Sequence, residues 1–252
     1  MALDRRSFLL QGCLATAGLL GLGQTAADAS EASNLPDPST DSGASSPVDA
    51  CRPRDPLQAL LAGNARFAQA WQAADAAPNQ RQRARIFSQL WQHNCYTSAQ
   101  VLVDGQRPWA AILACSDSRV APEWIFDAAL SDLFVVRSAG NTAFSAAVGS
   151  LEYAVGHLGI PLVLVVGHSG CGAVQAARSS APLSPSLGDL VEPIRASLTA
   201  GEDLNQAVRA NARHTAKQLS ETSALLRAAQ AAGRLTIRPS FYDIRSGLVS
   251  LI

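Results

Sequence analysis

Trp109-Ala110-Ala111-Ile112-Leu113-Ala114 and Pro161-Leu162-Val163-Leu164-Val165-Val166 are the stretches on which the fold turns. Each is apolar at every position rather than at alternate ones. That pattern belongs to strands buried on both faces, as in a parallel sheet covered by helices. Leu133-Phe134-Val135-Val136 is a third such run, and residues 235–237 form a weaker fourth. Helical spacing fills residues 142–157 and 203–232, so strand and helix alternate and the class is α/β, a mostly parallel sheet flanked by helices. Residues 241–245, a Ser246-Gly247 turn and residues 248–252 read as a closing strand and hairpin. Upstream, Asp55 is placed to cap a helix that has Pro56 at its first position, with Leu57, Leu60, Leu61, Asn64 and Phe67 at helical spacing. A second helix is expected over residues 79–93, with Ile86, Phe87, Leu90 and Trp91 on one face. Both helices need something to pack on, either the sheet or a partner subunit.

The 252 residues carry 20 Lys+Arg against 20 Asp+Glu and are 48% hydrophobic. A nucleic-acid binder would show a basic surplus, and a disordered chain would show more charge and less apolar content. Five cysteines are too few for a disulfide scaffold, which a chain of this length does not need. The neutrality is an average over unlike parts. Residues 30–50 contain Glu31, Asp37, Asp41 and Asp49 without a base, whereas residues 51–252 hold 18 basic and 14 acidic residues. The bases are scattered arginines with one lysine, Lys217, and form no phosphate track.

Arg5-Arg6 opens a moderately apolar stretch to about Leu22, and Ala27-Asp28-Ala29 offers small residues for cleavage. Residues 1–29 are therefore expected to be a twin-arginine export signal leading to the periplasm or an equivalent compartment. The stretch is short and contains Gln11 and Thr16, which argues against a retained membrane anchor. Residues 30–54 are read as a flexible leader, because Ser, Pro, Asp and Ala without bulky apolar residues cannot offset the entropy of ordering. Residues 55–252 are the folded domain.

The chemistry falls where two buried strands end. Cys115-Ser116-Asp117-Ser118-Arg119 follows the run at 109–114, and Gly167-His168-Ser169-Gly170-Cys171-Gly172 follows the run at 161–166. Ligands of open α/β sheets bind beyond the carboxyl ends of the strands. Cys115, Asp117, His168 and Cys171 are all zinc-ligand types, and sulfur with nitrogen favours zinc over calcium or magnesium. Taken singly, a buried Cys is a small apolar residue and a His can be satisfied by a carbonyl. Two such motifs at equivalent strand ends make the metal reading the stronger one. Gly167, Gly170 and Gly172 would let backbone approach a bound ion or substrate. Asp117 has two possible roles, fourth zinc ligand or bidentate partner of Arg119; the second would leave the metal an open position.

Cys115-x-Asp117-x-Arg119, Val136-Arg137-x-Ala139-Gly140-Asn141, Ser150-Leu151-Glu152-Tyr153-Ala154 and Gly167-His168-Ser169-x-Cys171-Gly172 together resemble the signature of the β-class carbonic anhydrases over residues 55–252. The resemblance implies reversible hydration of CO2 to bicarbonate and a proton, at one Zn2+ per subunit held by Cys115, His168 and Cys171. Zinc lowers the pKa of a bound water toward about 7, and Asp117, held by Arg119, would accept a hydrogen bond from it. The resemblance further implies substrate contacts from Gln106, Phe134, Ala139 and Gly172. It implies a homodimer or larger homo-oligomer embraced by the N-terminal helices.

Ser138 stands where many relatives carry Asn, and Ile112 stands where an allosterically regulated subgroup carries Trp, which favours the subgroup with open zinc. Relatives of this fold that hydrolyse CS2 or COS, and a non-catalytic domain with zinc closed by Asp117, are the alternatives. Two adjacent thiols risk oxidation outside the cytoplasm; export of an already folded chain would carry them protected by metal. Cys51 and Cys95 are either a disulfide formed after export or two free thiols.

Overall fold

A computed structural model describes residues 51–252. The stretch expected to be an export signal and most of the expected leader lie outside the described residues. Helices α1 (Pro56–Ala76), α2 (Gln80–Phe87) and α3 (Ala99–Asp104) precede β1 (Ala110–Cys115). There follow α4 (Pro122–Ile125), β2 (Leu133–Ser138), α5 (Ser145–Gly156), β3 (Leu162–His168), α6 (Gly172–Arg178) and α7 (Pro185–Arg195). The chain closes with α8 (Leu204–Thr222), α9 (Ala224–Ala231), β4 (Thr236–Asp243) and β5 (Leu248–Leu251).

The five strands form one sheet in the order β2-β1-β3-β4-β5. All neighbours are parallel except β4 and β5, which pair antiparallel. This is the α/β architecture expected from the unbroken apolar runs. β1 and β3 are buried along their whole length because helices cover both faces. Alternate side chains serve the two faces. Ile112, Ala114, Leu164 and Val166 pack with Leu60 and Phe67 of α1 and with Ile125 and Phe126. Ala111, Leu113, Val163 and Val165 pack with Leu151 of α5, Leu219 of α8 and Leu226 of α9.

Asp55 caps α1 as expected, accepting from the Gln58 amide at 3.0 Å, with Pro56 in the first turn. The second helix is shorter than the spacing predicts. It ends at Phe87, and residues 88–94 continue as turns in which Trp91 takes a positive φ of 66°. The Trp91 amide there donates to the buried carboxylate of Asp127. The stretch expected as one helix over 203–232 is two. Ser223 leaves the helical conformation, its hydroxyl accepts from the Leu226 amide to cap α9, and it donates to Glu152 on α5. Residues 236–237 of the weaker run and 241–243 of the expected closing strand are parts of the single strand β4. Helices α3, α4, α6 and α7 were not anticipated. Cys51 and Cys95 form a disulfide, with Cα atoms 5.3 Å apart, that closes α1 and α2 into one loop.

Candidate active site

Strands β1 and β3 are neighbours in parallel register, Ala114 opposite Val166, so their carboxyl ends emerge together. Cys115 is the last residue of β1 and His168 the last of β3. Cys171 is the residue from which α6 starts. Topology thus joins residues separated by 56 positions: the ligand atoms of Cys115, His168 and Cys171 all lie within 4.8 Å of one another. The two sulfurs are 4.0 Å apart, and all three residues are buried.

The cluster passes three tests as a metal site. His168 Nδ1 lies 3.1 Å from the Ser169 carbonyl, to which it can donate, and this leaves Nε2 free to ligate. Nε2 itself is fully buried with no hydrogen-bond partner in the protein, an arrangement that is costly unless a cation takes the lone pair. The third test is electrostatic. The contact with the Cys171 thiol, helped by His168 and by the Gly140 amide, outweighs burial and draws the Cys115 thiol well below the usual thiol range. The same contact pushes Cys171 up, because its thiol is the donor in it, and burial and repulsion from the Cys115 sulfur add to this; a cation between the sulfurs would relieve both.

Of the two roles open to Asp117, the structure shows the pair with Arg119. Arg119 Nε donates to Oδ1 at 2.9 Å and Nη2 to Oδ2 at 2.6 Å, and the Arg119 amide adds a bond to Oδ1 at 2.9 Å. The Arg119 guanidinium, through these hydrogen bonds first, holds the Asp117 carboxyl well below the usual carboxylate range. Asp117 Oδ2 is nevertheless only 3.9 Å from His168 Nε2, so the carboxylate borders the cluster without being one of its three members. Arg119 also reaches the Gly170 carbonyl at 3.3 Å, which ties the two motif loops together. It lines a cavity of about 810 Å3 with Ser169, Gly170 and Asp243.

The expected substrate contacts divide. Ala139 immediately precedes Gly140, whose amide donates to Cys115 Sγ at 3.3 Å, and Gly172 is the first residue of α6 beside Cys171. Both adjoin the cluster. Gln106 and Phe134 do not. Gln106 lies before the start of β1 and lines a different cavity, of about 720 Å3, with Leu130, Tyr153 and Leu158. Phe134 is the second residue of β2, paired with Ala111, and packs against Tyr153 with ring centroids 6.3 Å apart. A strand of six residues spans roughly 20 Å, so neither residue can reach the carboxyl ends of its own sheet. The glycine expectation needs a correction as well. At Gly167 a Cβ would stand 2.8 Å from Val208 Cγ1, so this glycine lets α8 pack close to β3 rather than admitting an ion.

Two supporting groups escaped residue-by-residue reading of the sequence. Arg137, on the edge strand β2, donates from Nε to the Cys115 carbonyl at 3.1 Å and from Nη2 to the Asp117 carbonyl at 2.7 Å. Its signal was a charge in an otherwise apolar run. Asn211 of α8 donates to the Gly140 carbonyl and left no signal, since an Asn in an amphipathic helix is unremarked. Ser138 anchors the same loop by accepting from the Thr142 amide at 3.0 Å.

Comparison with known proteins agrees with this geometry. The sequence profile of the family described as carbonic anhydrase matches residues 110–249, from the first residue of β1 into β5. A carbonic anhydrase of Mycolicibacterium smegmatis is 40% identical over 159 residues, covering 60% of this chain and 77% of that protein. Among solved structures, a tetrameric β-carbonic anhydrase from Sordaria macrospora superposes with a TM-score of 0.55 at 25% identity, covering 60% of this chain and 83% of that one. The Coccomyxa β-carbonic anhydrase in complex with acetazolamide gives 0.55 at 28% identity, covering 61% and 76%. With the matched profile spanning both cluster-bearing strands, and the sheet shared with these enzymes, the chain belongs to the carbonic anhydrase family, in its β class.

Proposed function

We infer that this protein catalyses the reversible hydration of carbon dioxide to bicarbonate and a proton, at one zinc ion held by Cys115, His168 and Cys171. The observation that carries the reading is the division of labour in the site: two sulfurs and one imidazole converge, while the nearest carboxylate is engaged by Arg119. Three protein ligands and an open fourth position are the arrangement of a catalytic zinc site; four would make a structural one. A zinc ion there supplies Lewis acidity that lowers the pKa of water at the open position.

The chain's own residues do the rest. Arg119 keeps Asp117 ionised and fixes the direction of its lone pairs, so the carboxylate can accept a hydrogen bond from the attacking oxygen and cannot donate one. Arg137 holds the backbone that carries Cys115 and Asp117, limiting drift of both groups at once. Burial of all three ligands excludes competing solvent donors and strengthens each electrostatic contact.

The active form is a homodimer or a larger homo-oligomer. Gln106 and Phe134 lie at the wrong end of their own strands for substrate contact and would serve the site of a second copy. The protein is exported by the twin-arginine route and acts outside the cytoplasm, without a retained anchor. Arg5-Arg6 and the small residues at 27–29 support this, and so does a Cys51–Cys95 disulfide, which suits an oxidising compartment.

The deciding experiment is stopped-flow CO2 hydration with zinc analysis on the purified mature protein. Turnover that tracks a zinc content of one per chain is expected. Full zinc occupancy without turnover would replace the catalytic reading by a structural one, and hydrolysis of COS or CS2 in its place would change the substrate.

A further inference from the structure

Residues 138–141 form a turn in which the Ser138 carbonyl accepts from the Asn141 amide at 3.0 Å. Gly140, its third residue, has a φ of +78°, the value a type II turn takes there. Over the same four residues, a type I turn differs by a flip of the central peptide, between Ala139 and Gly140. In the observed form that peptide aims the Gly140 N–H at Cys115 Sγ, 3.3 Å away. In the flipped form the N–H turns away, and the Ala139 carbonyl oxygen takes its side. The thiolate therefore sees either a donor or a repelling oxygen, according to which turn the chain adopts.

Gly140 cannot settle this with a side chain. A Cβ there would stand 2.5 Å from Ile194 Cδ1 and 3.2 Å from Ala173 Cβ. Where the turn sits relative to the sulfur is restrained from outside the loop. Asn211, buried on α8 and 71 residues away in sequence, donates from Nδ2 to the Gly140 carbonyl at 2.8 Å. Together with the Ser138–Asn141 bond it holds both polar ends of the peptide that follows the central one. Asn211 Oδ1 has no hydrogen-bond partner in the protein. A buried amide with an unpaired atom is a poor choice for stability alone.

We propose that Asn211 is a positioning residue for Cys115: it ties the turn to α8, so that the Gly140 N–H stays within reach of the sulfur, and so sets how strongly that sulfur donates to the metal. The proposal rests on the reading of Cys115, His168 and Cys171 as a metal site. Hydrogen bonds just outside the ligands commonly change metal affinity by about 10–100-fold.

The test uses Co2+ in place of zinc in the full-length protein, unsubstituted and as Asn211→Leu, an apolar side chain of similar size. Ser240→Ala is the control, because Ser240 is an equally buried polar residue bonded to the Val165 carbonyl, away from the cluster. In Asn211→Leu the thiolate-to-cobalt charge-transfer band should move to lower energy, and Co2+ affinity measured by chelator competition should fall about tenfold. Ser240→Ala should lower the melting temperature without moving the band. If Asn211→Leu does not fold, Asn211→Ser, smaller and without overpacking, is read in the same way. A band in the Asn211 variant coincident with that of the unsubstituted protein, whatever the melting temperature, overturns the proposal and leaves the metal site standing. Absence of any thiolate charge-transfer band in the unsubstituted protein overturns both.

Discussion

Arg119 grips both oxygens of Asp117, and this contact separates binding the metal from using it. Replacing Arg119 by Ala frees the carboxylate, whose Oδ2 stands 3.9 Å from His168 Nε2, to turn toward the cluster, where it can close the fourth position. The variant should keep much of its zinc and lose CO2 hydration by about 100-fold or more, within the range typical of a lost acid–base contribution; wild-type turnover would sink the pair's role. His168→Ala and Cys171→Ala should instead lose zinc and activity together, as metal analysis beside stopped-flow rates would show. The depressed pKa of Asp117 also has a definite pH sign. The pair with Arg119 is formed above the unfolded carboxylate value of about 3.9 and is lost only as pH falls through the lower folded value. In 13C NMR of the metal-free protein the Asp117 carboxyl should show no titration midpoint near pH ~4 in the wild type and should acquire one in Arg119→Ala. At this scale the ligands were legible, because thiols and an imidazole directly after apolar runs have few other uses. Asn211 was not, because its role depends on a backbone carbonyl 71 residues away that no side-chain pattern records.

Elements meet where side chains are absent as much as where they are present. Gly63 on α1 packs against the Phe126 carbonyl so closely that any Cβ would collide with backbone. Neither side can yield by rotating a side chain, so Gly63→Ala should destabilise the fold by about 2 kcal/mol or more, seen as a lowered midpoint in urea unfolding. Asn64, the next residue, pins α1 to two other elements. Its amide donates to the carbonyls of Ile125 and Gly247, and its oxygen accepts from the Val249 amide. Sequence spacing placed Asn64 on the buried face of this helix, yet its partners lie up to 185 residues away and are written nowhere in local pattern. The same limit explains the split at Ser223: the helical period runs on across it, and only the bond to Glu152 shows why the chain turns there. Strands β1 and β3 were legible because burial on both faces leaves an unbroken apolar run. The run at 235–237 and the segment from 241 concealed one strand, because Arg238 and Pro239 lie in the middle of β4.

For the whole molecule the question is what completes the site. If Gln106 serves a neighbouring subunit, a protein carrying Gln106→Ala and one carrying His168→Ala are each impaired. Mixing them under conditions that exchange subunits should restore activity, because each mixed dimer then holds one site with both residues intact. No recovery, with exchange verified by mass, would assign Gln106 another role. The N-terminal helices are secured by Cys51–Cys95, which closes a loop of 44 residues. Loop-closure entropy puts the loss on replacing both cysteines by Ser at about 4 kcal/mol, measurable by chemical unfolding of the oxidised protein. Composition told little at this level. Zero net charge argued against nucleic acid, but assembly depends on which surfaces face one another.

The chain also sets contrary demands on its own sulfur. One couple, Cys51 and Cys95, is complete only when oxidised, and the other, Cys115 and Cys171 at 4.0 Å, is useful only while reduced. Preparation must therefore respect an order of events: metal loading under reducing conditions first, then air or an oxidant. Refolding a chain trimmed of residues 1–29 from denaturant in an oxidising buffer would offer its four thiols three ways to pair, and would yield preparations whose specific activity varies with the thiol history of the batch.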